Sequence, residues 1–149
     1  MKVTIKRTLT AVMACIMVCM MFSMQVFAAS SFFSKSTSKL NAISGGKSNV
    51  STFSSGSVPS GASITSVKIA YNVASGTDPY TVYLISPSGT VYSASGPLSS
   101  TTDYNISKFN GEDPKGTWTA YIVNSGYTTH GSIYPASTVT MSVTVNYEY

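Results

Sequence analysis

Read for apolar and polar alternation, the chain falls into three unlike stretches. Leu9 to Phe27 is apolar and carries no charge. Residues 30–57 are mostly Ser, Lys, Asn, Gly and Thr, with Phe32, Phe33, Leu40, Ile43, Val50 and Phe53 scattered among them. No helical or strand period is sustained there. From Ile64 onward the period is two: Val67, Ile69, Tyr71 and Val73 alternate with Lys68, Ala70 and Asn72. Such alternation turns one set of side chains to a core and the other to water.

This pattern predicts a run of short strands. Tyr80 to Ile85 is one; the turn Ser86-Pro87-Ser88-Gly89 follows, and Thr90 to Ala94 returns as its hairpin partner. Pro presets the first corner of a turn, and Gly tolerates positive φ at its exit. Tyr104 to Phe109 reads as a further strand, then Asn110 to Gly116 as a longer connection into Thr117 to Val123. The clearest strand is the last, where Val139, Met141, Val143, Val145 and Tyr147 alternate with Thr138, Thr140, Ser142, Thr144 and Asn146. Residues 29–52 read as a Ser-rich leader or linker, with Asn49 to Phe53 as a competing irregular edge strand. No window of eleven or more residues after position 28 shows helical spacing. Five or six strands with one apolar face each predict an all-β, two-layer antiparallel sandwich over residues 53–149. Trp118 is the candidate core plug, since a Trp buries on the order of 200 Å².

The apolar stretch changes how composition is read. Lys2, Lys6 and Arg7 precede it, and Val26-Phe27-Ala28 ends it with small residues suited to cleavage between Ala28 and Ala29. That layout is a secretory signal over residues 1–28. A transmembrane anchor is the competing reading of so long an apolar run. Lipidation at Cys15 or Cys19 is another, but the residues before each cysteine do not suit it. Removal of the signal takes both cysteines and six of the seven methionines, leaving 121 residues. Six lysines then face five acids, so the formal +4 of the whole chain falls to +1. A secreted, extracellular protein without a disulfide must be held by its core.

Candidate chemistry is sparse. His130 is the single histidine, and no G-x-S-x-G elbow presents a serine to it. An exposed loop histidine is the plainer reading, and a small hydrolase using His130 the remote one. Glu112 and Asp113 are adjacent acids, but nothing predicts a cleft to hold paired carboxylates. Asp78, Asp103 and Asp113 offer loop oxygens of the kind calcium takes, without EF-hand order. Two cysteines and one histidine exclude a Cys₄ or Cys₂His₂ zinc site. Six scattered lysines and no arginine give no basic stripe for nucleic acid. Tyr83, Tyr92, Tyr121, Tyr127, Tyr134 and Tyr149 are candidates for exposed aromatic surface, with Tyr83, Tyr121, Tyr127 and Tyr134 singled out for binding. Tyr71, Tyr80 and Tyr147 fall on the inward phase. Exposed tyrosines anchor proteins or stack on sugars, while tyrosine also simply suits sheets.

Two segments carry a family resemblance. Tyr80 to Val91, YTVYLISPSGTV, resembles the strand–SPSGT–strand hairpin of the P domain (P/Homo B domain) that follows the catalytic domain in subtilisin-like proprotein convertases and bacterial secreted proteases. Phe109 to Val123, FNGEDPKGTWTAYIV, is similar to that family's F-x-GE…GTW segment, and Val58-Pro59 resembles its opening. The matching positions are Pro87, Gly89, Glu112, Gly116 and Trp118. The chain departs from the family in lacking the His-Thr and Asp-Leu pairs before the hairpin and the Trp of the final strand. The resemblance implies a jelly-roll-like sandwich of the galactose-binding-domain type, with Glu112 capping backbone donors of its tight loop. It also implies an accessory, non-catalytic role beside a separately encoded secreted serine endopeptidase. A module binding a carbohydrate or cell-wall polymer is the alternative. Neither role requires a cofactor or a membrane anchor after cleavage.

Overall fold

The strictest alternation in the sequence builds the longest ladder. In the computed structural model, which describes residues 28–43, 45–75, 78–125 and 137–149, with the side chains of Ser75 and Tyr104 left out, nine strands are present. They are β1 (Ser30–Ser36), β2 (Leu40–Ala42), β3 (Ser51–Ser54), β4 (Ser63–Ser75), β5 (Tyr80–Ile85), β6 (Val91–Ser95), β7 (Thr101–Ile106), β8 (Thr117–Asn124) and β9 (Ser137–Glu148). The described residues include no helix. The residues up to Phe27 and the loop holding Tyr127, His130 and Tyr134 lie outside the described residues.

β9 pairs antiparallel with β4 from Ser63↔Glu148 to Ser75↔Thr138. Around that pair one sheet runs β1-β9-β4-β7, with β2 also on β9; the other runs β3-β8-β5-β6. Apart from the β5–β6 hairpin, from β3 onward each strand is followed by one in the opposite sheet. This is the strand order of a double-sheet jelly roll. Val139, Met141, Val143 and Val145 of β9 and Val82 and Leu84 of β5 are fully buried, so the two inward phases meet as the alternation predicts.

Trp118 fills the centre. It has no exposed surface, lies nearly parallel to Phe53 (5°, centroids 6.4 Å) and meets Phe109 edge-on at 5.3 Å. Its indole N–H donates to the Pro114 carbonyl at 3.1 Å, which meets the need of a buried polar group for a partner.

Two expectations are corrected. The stretch 29–52 is not a linker: β1 pairs with β9 from Ser30↔Glu148 to Ser36↔Ser142, and β2 sets Leu40 opposite Val139. Leu40 and Ala42 are fully buried. Just before β1, Ala29 exchanges backbone hydrogen bonds with Tyr149 at 3.0 Å. The seventh strand runs over Thr101–Ile106, not Tyr104 to Phe109. Ser107 to Asn110 instead turns, closed by an Asn110 N–H to Ser107 carbonyl bond at 3.1 Å. That turn delivers Phe109, fully buried, to Trp118.

Candidate functional site

The outward phase of the four-stranded sheet is where aromatic groups gather. Tyr83 of β5 and Tyr121 of β8 are directly opposite in the register. Their rings stack at 4.8 Å with 13° between planes. That separation equals the spacing of neighbouring strands, so the rings stand upright side by side. Lys47, bridged to Val123 on the far side of β8, places its ammonium 3.8 Å from the Tyr121 ring centroid. The row across the sheet is therefore Lys47, Tyr121, Tyr83 and then Ser93 of β6, which pairs with Tyr83. Both faces of Tyr121 are covered. Both tyrosines are half-buried, not fully exposed as expected. Val50, just before β3, and Val91, at the start of β6, are about half exposed at 48% and 45%.

Of the four tyrosines singled out for binding, Tyr83 and Tyr121 are thus brought together. Tyr127 and Tyr134 lie outside the described residues. Tyr92 is a correction: it pairs with Leu84 and shares that residue's inward phase, packing 6.3 Å from Phe109. Tyr149 is exposed, whereas Tyr71, Tyr80 and Tyr147 are buried as their phase predicts. Lys47 was not legible as a partner, because its segment shows no strand period.

The hairpin and the Glu112 loop form one cluster. The Gly89 N–H closes the turn on the Ser86 carbonyl at 3.0 Å, with Gly89 at φ 90°. Glu112 Oε2 accepts from the Ser86 hydroxyl at 2.6 Å and from the Ser88 hydroxyl. Glu112 therefore holds side-chain hydroxyls of a different turn, rather than capping backbone donors in its own loop as expected. Its pKa is lowered. Partial burial opposes this, but hydrogen bonds from Ser86, Ser88 and Thr90 and the charge of Lys108 outweigh it. Gly116 sits at φ 134°, where an added Cβ would come 2.8 Å from Pro87 Cβ. Its N–H donates to the Ser55 hydroxyl at 3.0 Å. Pro87, Gly89, Glu112, Gly116 and Trp118 are all accounted for by this packing.

The three aspartates are not gathered. Asp113 Oδ1 accepts the Lys115 N–H at 2.9 Å. Asp78 lies before β5 with Oδ2 buried and without a hydrogen-bond partner among the described residues. Asp103, on β7, accepts from the Tyr71 hydroxyl at 2.9 Å. Burial, then the hydrogen bond and charge of Asp103, push the Tyr71 pKa up. Among the described residues no three His, Cys, Asp or Glu side chains are close enough to share a metal ion. Asp103 instead lines an open groove of about 920 Å³ between β6 and β7, with Tyr92, Ala94, Thr102, Ile106 and Lys108. Spacing could not reveal this groove, since it depends on two strands of opposite sheets lying side by side.

No family model matches the chain, and no curated protein matches it. Among solved structures it is similar to FlhE, at 19% identity and a TM-score of 0.49 over 82% of this chain and 98% of that one. It is also similar to Desmodium yellow mottle tymovirus (9%, TM-score 0.36, 81% and 87%). A third is a family two carbohydrate esterase from Cellvibrio japonicus (14%, TM-score 0.34, 81% and 36%). At these values the likenesses say nothing of what this chain does.

Proposed function

We propose that the protein is exported and that its mature part is a non-catalytic β-sandwich module that works by binding another secreted protein. The observation that carries this reading is the upright Tyr83–Tyr121 stack with Lys47 on its flank. Tyrosine gives large contact area for little conformational entropy, and it is enriched where proteins meet. A stack already ordered in the free protein reduces that cost further. The opposite face of the sandwich carries one exposed ring, Phe32, among polar side chains. There Ser34 bonds Thr144 at 3.0 Å, Ser36 bonds Ser142 at 2.8 Å, and Asn146 donates to Ser66 at 3.0 Å, so its polar groups satisfy one another.

The resemblance of the hairpin and of Phe109 to Val123 to P domains names the partner class, a secreted subtilisin-like serine endopeptidase. The test is to measure its binding to the protein purified from the medium, and its peptidase activity with and without that protein. Binding that weakens in Tyr83→Ala/Tyr121→Ala supports the reading. No binding and no change in activity would sink it.

Carbohydrate binding is the second reading, and the outward Tyr83–Tyr121 pair favours it, since sugars stack on aromatic rings. A glycan array and a cell-wall pull-down separate the two.

A further inference from the structure

β6 is a strand edge whose hydrogen-bonding phase is set by the two ends of its hairpin. The Gly96 N–H donates to the Tyr80 carbonyl at 2.7 Å, and the Ser86 N–H to the Thr90 carbonyl at 3.0 Å. Bonded and non-bonded pairs alternate along an antiparallel ladder. With the unbroken register Thr81↔Ser95 to Ile85↔Val91, the backbone groups of Tyr92 and Ala94 point to β5. Those of Val91, Ser93 and Ser95 point away from it, and among the described residues no strand pairs with that side.

Proteins blunt such edges with charges, proline, bulges or very short strands. The other edges carry these devices. β7 has a register break against β4 between Val67 and Ile69, the inward acid Asp103, and Asn105 at φ 57°. β1 carries Lys35, and β3 has four residues. Val91-Tyr92-Ser93-Ala94-Ser95 has none of these features.

A row of outward N–H and C=O groups is completed by another extended backbone, with pockets beside the edge reading alternate side chains. A second copy is the weaker occupant. β6 carries no basic residue that a second copy could set against Asp103. An added peptide would instead lie along the groove between β6 and β7. Asp103 supplies an acid there, while the groove's cation, Lys108, already acts on Glu112.

We propose that β6 and the adjoining groove capture an extended segment of a partner polypeptide, paired strand to strand with Val91, Ser93 and Ser95 and setting a basic side chain against Asp103. This goes beyond the tyrosine row and does not require it.

The experiment is selection of a phage-displayed library of random nine-residue peptides on the secreted protein, followed by titration of the synthesised winners. The winners carry Lys or Arg at one fixed position. Ser93→Pro weakens them at least tenfold, because proline removes an outward N–H and spares the β5 ladder. Asp103→Asn abolishes the preference for the basic residue. N-methylation of the peptide at alternate backbone positions removes binding in one phase and not in the other, whatever the fold of the protein variants. Three results would overturn the proposal: no peptide selected, winners indifferent to both Ser93→Pro and N-methylation, or a dimer of this chain that Ser93→Pro dissolves.

Discussion

Trp118 touches Phe33, Phe53 and Phe109, so its loss leaves a cavity that three rings cannot collapse to fill. Trp118→Ala is expected to cost about 3–5 kcal/mol, read from urea or thermal unfolding. A near-wild-type midpoint would contradict its place in the core. Glu112 joins the β5–β6 turn to a loop that is itself bonded to β4, through the Ile64 N–H to the Glu112 carbonyl at 2.9 Å. Its carboxyl is held below the ordinary value of 4.5. The stability it adds is therefore present above that value and lost as pH falls through the lowered one. Glu112→Gln should flatten the acid limb of a stability-against-pH curve; an unchanged limb would count against the link. Tyr80 shows the opposite sign. Burial pushes its pKa up to about 12 from 10.0, so its neutral form is the folded one. Its contribution to stability is complete below pH 10 and lost as pH rises toward 12, and tyrosinate absorbance and far-UV circular dichroism should change together. Trp118 was legible from composition and resemblance. The serines that hold Glu112 were not, because short polar residues in a turn look alike until the fold brings a carboxylate to two of them.

At the scale of elements, legibility follows burial on one clean face. β9 alternates between buried and half-exposed residues over most of its length, and its sequence alternates just as plainly. β5, β8 and the core of β4 were readable for the same reason. β1 and β2 were not. β1 is an edge strand with Ser30, Phe32, Ser34 and Ser36 exposed and Phe33 half-buried, so its apolar signal is one packed ring. β2 is three residues long, too short for any period to show, although Leu40 and Ala42 are fully buried. The assignment is checked by Leu40→Ala. A linker would lose nothing, whereas the observed burial implies a cost of about 2–5 kcal/mol. β7 lies three residues before the strand that the sequence predicts, because Phe109 extends the apolar pattern beyond it. Its apolar side chain serves the core from a turn, which periodicity cannot distinguish.

For the whole molecule, the jelly roll puts two different faces to solvent. One carries Ser, Thr and Asn side chains that bond to one another, with Phe32 exposed among them; the other carries the Lys47–Tyr121–Tyr83 row. The all-β sandwich was legible from the sequence alone. The asymmetry between its faces was not, since it arises only when β8 and β5 become neighbours and Lys47 arrives from a segment with no strand signal. The most direct test of the proposed binding through the tyrosine face is the affinity of the protein for a secreted subtilisin-like endopeptidase, measured for wild type and Tyr83→Ala/Tyr121→Ala. The wild type should bind, and the folded double variant should bind at least tenfold more weakly, a loss of about 1.4 kcal/mol. Equal affinity of the two, or no affinity in either, would contradict it.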